Sequence, residues 1–179
     1  MPKLEQPDAK HASGCSLMGE VKMKKILIFC VCILLSNNLE HTNPKHFDTE
    51  LPKFISTTYK VPLKEAQRAV YYATIKTTDN FPTKTDVLAI MSIESGFKHK
   101  SVSGKGAKGW MQIKYRKTIS ESDNIDAGIH LLKNYLELFK TEKAAIMAYN
   151  LGSGNYKKGK RNMRFYKKYL AEKKKLESI

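Results

Sequence analysis

The sequence predicts a mainly α-helical fold: one domain of about six helices, preceded by an N-terminal signal or anchor segment. Three observations carry this. Apolar residues recur at three- and four-residue spacing in several separate segments after residue 62. No stretch alternates apolar and polar residues well enough to be a strand. The chain has 179 residues, 41% of them hydrophobic, which suffices for one core with a few tens of residues left for a leader.

Residues 1–22 are mixed in polarity and read as an extension. Met23 opens a different text, with Lys24-Lys25, ten apolar residues from Ile26 to Leu35, then Ser36-Asn37-Asn38. A positive start before a short apolar core has the form of a secretory signal. Ten residues span about 15 Å as a helix, half of what a bilayer core requires. Leu34 breaks the small-x-small cleavage pattern ending at Ser36, so residues 23–36 read as a signal peptide or a retained membrane anchor. Either way export is expected, with membrane contact through residues 26–35 if the segment stays.

The body then reads as residues 43–176. Phe47, Leu51, Phe54 and Ile55 suggest a helix that Pro52 interrupts. Pro62 suits a first helical turn, and Leu63, Ala66, Ala69, Val70 and Ala73 make an apolar stripe. Residues 77–82 are a loop. Thr85 or Asp86 is the expected cap of the next helix, which carries Val87, Ile90, Met91 and Glu94 on one face and ends at Gly96. Asp123-Asn124 is the expected cap of a long helix whose apolar residues, from Ile125 to Phe139, cover both sides of the stripe. That pattern predicts the central, most buried helix. Thr141-Glu142 starts a short helix through Ala144–Tyr149, residues 151–155 form a loop, and Arg161 to Leu176 forms a basic final helix.

The net charge of +15 points to polyanionic partners, among them nucleic acid, anionic lipid and acidic wall polymers. All three cysteines, Cys15, Cys30 and Cys32, fall in the first 32 residues, so the body can hold no disulfide framework. The five histidines show no pairing in the sequence. No metal-ligand spacing or phosphate loop is present, and no cofactor is expected.

Glu94 is the candidate for chemistry. A carboxyl on an apolar helix face is disfavoured in its charged form, so it holds a proton near neutral pH, as a general acid must. Lysines 98, 100, 105 and 108 would oppose this if they came close, but on a flexible loop they are expected to be solvated. No second carboxylate pairs with Glu94 convincingly. Glu121, Asp123 and Asp126 precede or open the long helix, where capping and the helix dipole account for them.

Four blocks become specific when read together. They are Glu94-Ser95-x-Phe97 with Ser103, then Gly106-Ala107-x-Gly109-Trp110-Met111-Gln112-Ile113, then Asn124-Ile125, then Ala148-Tyr149-Asn150-x-Gly152. In that order, over residues 85–154, the chain resembles the soluble lytic transglycosylases, relatives of goose-type lysozyme. The resemblance implies a lysozyme-like domain and cleavage of the β-1,4 bond between N-acetylmuramic acid and N-acetylglucosamine in peptidoglycan. It implies that Glu94 protonates the leaving oxygen and then, as a base, drives formation of a 1,6-anhydro end. It implies contacts to the glycan strand from Ser103, Gln112, Tyr149 and Asn150, and a capping role for Asn124. Three departures stand out: a short interval between Ile113 and Asn124, Lys114 where an apolar residue is usual, and Trp110 for a common leucine. The tryptophan is expected to be core rather than a sugar platform.

The small size resembles members that open the wall for a secretion or conjugation apparatus or for phage entry. Two other readings remain at this stage: a muramidase using water, and a non-catalytic module binding wall or nucleic acid. The aromatic residues among the C-terminal bases, Tyr156, Phe165, Tyr166 and Tyr169, could serve a nucleic-acid surface, but their helical spacing makes them core residues first. No specific nucleic-acid partner is expected.

Overall fold

The computed structural model describes residues 49–115 and 119–179. The extension and the signal or anchor segment predicted over 1–36 lie outside these residues. Among the described residues there are seven helices and one two-stranded ribbon, so the chain is mainly helical as expected. The helices are α1 (Glu50–Tyr59), α2 (Leu63–Lys76), α3 (Lys84–Glu94), α4 (Glu121–Phe139), α5 (Glu142–Leu151), α6 (Ser153–Lys157) and α7 (Met163–Glu177). Between α3 and α4 lie β1 (Ala107–Lys108) and β2 (Ile113–Lys114). None of the described helices is long and apolar enough to cross a membrane.

Pro52 does not interrupt α1. It is the helix's third residue, where a missing N–H removes no intrahelical bond, and it is buried beside Leu51 and Ile55. In α2 the expected stripe is buried at Ala66, Ala69, Val70 and Ala73, while Leu63 is exposed.

The central helix is α3, not α4. Every residue from Asp86 to Met91 is buried, so α3 is enclosed on all sides by its neighbours. On α4 only Asn124, Ile125, Gly128, Ile129 and Leu132 are buried, and Leu138 is exposed. The apolar residues flanking the α4 stripe cover an outer surface, whereas Val87-Leu88-Ala89-Ile90-Met91 form an unbroken apolar run that one-sided periodicity understates.

Both observed caps lie a few residues before their expected places. Thr83 caps α3 in a reciprocal capping box: its hydroxyl accepts from the Asp86 N–H, and Asp86 accepts from the Thr83 N–H at 2.8 Å. Ser120 caps α4 by accepting from the Asp123 N–H at 3.0 Å. Asp86 and Asp123 are each the third residue of their helix.

Asp86 also ties α3 to α7. It is 1% exposed, accepts from the Tyr169 hydroxyl at 2.6 Å and pairs with the Lys173 ammonium at 2.6 Å. Burial raises its pKa, but the bonds from Lys173, Tyr169 and Thr83 outweigh that and hold it below the ordinary value. With Phe165, Tyr169 and Leu176 turned into the core, α7 braces the start of α3. The expected core role holds for Phe165 and Tyr169, while Tyr156 and Tyr166 are only half-buried.

Candidate active site

Glu94 is the last residue of α3, so a helix buried around its whole circumference delivers it. Beyond it the backbone turns through left-handed Gly96 (φ 57°) and Phe97 (φ 61°), and Phe97 is fully buried. Glycine takes that conformation without the penalty a Cβ brings, so Gly96 ends the helix as expected. The Phe97 carbonyl accepts from the Trp110 indole at 2.9 Å. Trp110 is fully buried, a core residue joining the end of α3 to the ribbon.

The ribbon was not foreseen. Ala107 pairs with Lys114 and Lys108 with Ile113, antiparallel, around a tight turn. Two pairs are too few to leave an alternating pattern in the sequence. Side chains from two helices hold the turn. Asn124 of α4, buried, accepts from the Met111 N–H at 2.8 Å and donates to the Lys108 carbonyl at 2.9 Å. Tyr149 of α5 donates its hydroxyl to the Met111 carbonyl at 2.6 Å. Asn124, expected as a cap, is instead a clamp on the ribbon. Gln112 has φ 48°, and its amide donates to the carbonyls of Ser101 and Gly109 at 3.1 and 2.9 Å. Ser103 closes a smaller turn, its hydroxyl accepting from the Ala107 N–H at 3.0 Å.

The five residues singled out in the sequence line one cavity of about 730 Å³: Glu94, Ser103, Gln112, Tyr149 and Asn150. Lys105, Lys114, Leu131 and Asn155 line it too. Glu94 is the only carboxylate among its described lining residues. Burial pushes the Glu94 pKa up to about 7, opposed in part by a hydrogen bond that Asn150 donates. Lys98, Lys100 and Lys105 are exposed, in keeping with solvated loop cations, whereas Lys108, in β1, is half-buried; Lys114 is exposed at the cavity's edge. Tyr149 is held well above its usual pKa, first by burial and then by the charge of Glu94, so it stays a hydroxyl donor.

The acids at the start of α4 do more than complement its dipole. Glu121 pairs with Arg68 at 2.9 Å and Asp126 with Lys76 at 2.6 Å, joining α4 to α2. His99 is paired after all: its backbone N–H donates to the Glu65 carboxylate of α2 at 2.7 Å, and its ring Nδ1 lies 2.5 Å from the same oxygen. Among the described residues no group of three or more His, Cys, Asp or Glu is arranged to hold a metal ion.

One residue of the site escaped the sequence reading. Asn162, the cap of α7, donates its amide to the Asn150 side-chain oxygen at 2.7 Å. Its place before an amphipathic helix marks a cap, but nothing in the sequence shows that it meets Asn150.

Among known proteins, no curated protein and no solved structure matches the chain significantly. The model of the transglycosylase SLT domain matches residues 73–171, from within α2 to within α7, and so includes every cavity residue named above. The match spans more than half of the 179 residues, and the chain belongs to the SLT transglycosylase domain family.

Proposed function

We propose that the protein is a lytic transglycosylase that cuts the β-1,4 bond between N-acetylmuramic acid and N-acetylglucosamine. Glu94 is its acid and then its base. The observation that carries this reading is a lone, half-buried carboxyl with a pKa near 7 in a cavity large enough for sugar rings.

A carboxyl poised near neutrality can both give and take a proton at working pH. Protonated Glu94 transfers its proton to the glycosidic oxygen. The bond from the muramoyl C1 to that oxygen breaks, and the N-acetylglucosamine side leaves with a 4-hydroxyl. Positive charge develops at C1. Glu94, now a carboxylate, accepts the proton of the same muramoyl residue's C6 hydroxyl, and O6 bonds to C1. The product is a 1,6-anhydro end, no water is consumed, and Glu94 is again protonated.

Glycoside hydrolysis of the usual retaining or inverting type needs a second carboxylate flanking the bond. No such partner lines the described part of the cavity, which favours the internal hydroxyl over water as nucleophile. Ser103, Gln112 and Asn150 serve as polar contacts to the strand. Gln112 and Ser103 are themselves fixed by backbone bonds, so they meet the sugar already oriented. Export through residues 23–36 brings the enzyme to the wall, and its size suits local opening for a secretion, conjugation or phage-entry assembly.

The test is mass spectrometry of digested peptidoglycan, wild type against Glu94→Gln. Wild-type protein should release anhydro-muropeptides. The variant should bind peptidoglycan and cut it about 100- to 10,000-fold more slowly. Reducing ends in place of anhydro ends would assign a muramidase, and undiminished cutting by the variant would remove Glu94 from the mechanism.

A further inference from the structure

We propose that Asn162 is a positioning residue for Glu94: it fixes which end of the Asn150 side-chain amide faces the carboxyl. The proposal rests on the reading of Glu94 as the acid and base.

The argument is one of hydrogen-bond polarity. The Asn150 side chain is exposed near the end of α5, and the two ends of an amide have nearly the same shape. Turned one way, it offers Glu94 a donor and favours the carboxylate. Turned the other way, it offers an acceptor and favours the protonated acid. Shape does not choose between these orientations. A partner at the far end of the amide does.

That partner is Asn162, and its own orientation is not free. The backbone N–H of Phe165, in the first turn of α7, can only donate, and Asn162 Oδ1 accepts it at 3.0 Å. Asn162 therefore turns its NH₂ toward Asn150, and Nδ2 donates to Asn150 Oδ1 at 2.7 Å. The NH₂ of Asn150 is left on the side of the cavity that it shares with Glu94, where a donor opposes the effect of burial on the carboxyl. Each link forces the next. The start of α7 sets the polarity of a three-residue chain that ends on the catalytic carboxyl.

The charged and titratable groups around this chain do not supply the same control. Lys105 and Lys114 are exposed where they line the cavity, and the Tyr149 hydroxyl is committed to the Met111 carbonyl. Beside Asn162, the Arg161 guanidinium lies 3.8 Å over the Tyr156 ring and donates to the Tyr156 and Lys160 carbonyls. Lys160 and Arg164 are exposed. Opposing burial with a donor keeps Glu94 able to serve in both directions. A stronger bias toward the acid would leave it a poor base for the second proton transfer.

Asn162→Asp separates this role from helix capping. Aspartate caps as well as asparagine, so α7 should form normally, but it has no N–H to give Asn150. The Asn150 amide then turns its NH₂ toward residue 162 and its oxygen toward Glu94. Asn162→Ser is the second variant, a cap whose hydroxyl is too short to reach Asn150. In ¹³C-glutamate-labelled protein, with Glu94→Gln identifying the resonance, the Glu94 carboxyl should titrate about one pH unit higher in Asn162→Asp than in wild type. With Asn150→Ala already in place, Asn162→Asp should move that midpoint no further. In both cap variants the pH at which cutting of peptidoglycan falls by half should follow the resonance upward. An unchanged Glu94 midpoint in both cap variants overturns the proposal, as does a shift that survives Asn150→Ala. A resonance that moves while the cutting profile stays put instead retains the positioning of Glu94 and removes its catalytic role.

Discussion

Glu94 carries the main tension at the level of single residues. Reactivity and stability ask opposite things of it. An ordinary carboxyl pKa of 4.5 rising to about 7 corresponds to roughly 3 kcal/mol of stability withheld from the folded state at high pH. The sign follows from proton binding. Between those two values the folded protein holds a proton that the unfolded chain has lost, so stability falls as pH rises. The cost is absent below about pH 4.5 and complete above about pH 7. Glu94→Gln removes the charge while leaving an oxygen to accept from Asn150. Urea unfolding should therefore find the variant more stable than wild type by roughly 1–3 kcal/mol at pH 8 and equal to it near pH 4.5. Equal stability at pH 8 would mean the carboxyl is better solvated than its position at the cavity wall implies. The proposed mechanism has the matching dependence: with Glu94 as its acid, cutting should fade as pH climbs through about 7.

Among the elements, the ribbon turn depends on a close approach that only glycine permits. Gly109 has φ 80°, and a Cβ there would lie 2.6 Å from the buried Asn124 amide that holds both Lys108 and Met111. Gly109→Ala should therefore cost about 2–4 kcal/mol and loosen Gln112 together with the turn, read as lost stability in denaturant. Gly104→Ala, with nothing within 4 Å of the added Cβ, is the control and should be close to neutral. The same region shows what the sequence could and could not disclose. The long elements were legible because burial imposes a helical period, and the ordered motif blocks singled out five residues that line one cavity. Both cap errors share one cause: Asp86 and Asp123 sit at the third helical position, where an acid completes a capping box or meets the dipole, and each looked like the cap itself. The identity of the central helix was missed because a continuous apolar run of five residues carries no period. The clamp made by Asn124 and the chain from Asn162 to Glu94 are contacts across distant segments, and no local pattern records them.

For the molecule as a whole, charge is distributed apart from chemistry. From residue 37 onward there are 27 basic and 14 acidic side chains, and between Lys157 and Lys175 ten basic residues accompany only Glu172. Glu172 is already engaged, accepting from the Tyr59 hydroxyl and from Lys175. On α7 the apolar side is spent on the core, and Arg164, Lys167, Lys168 and Lys174 are exposed with no acidic partner among the described residues. Such a face has little apolar surface to insert into a bilayer, but it attracts a polyanion at long range. On the proposed function, the anionic wall around the glycan would concentrate the protein, while the cavity around Glu94 is governed by burial and hydrogen bonds. These two contributions separate by salt. Screening shrinks from about 10 Å at 0.1 M to about 3 Å at 1 M, so attachment to intact wall should weaken over that range. Cutting of short soluble glycan fragments, which are held only by the cleft, should change little. Replacing Lys167, Lys168 and Lys174 with glutamine should lower wall attachment at low salt, flatten its salt dependence and leave fragment cutting near wild type. Co-sedimentation with purified wall and a fragment assay across the same salt series measure both. A wild-type salt dependence in the triple variant would show that wall attachment does not run through α7 and that its lysines serve only to keep that surface in water.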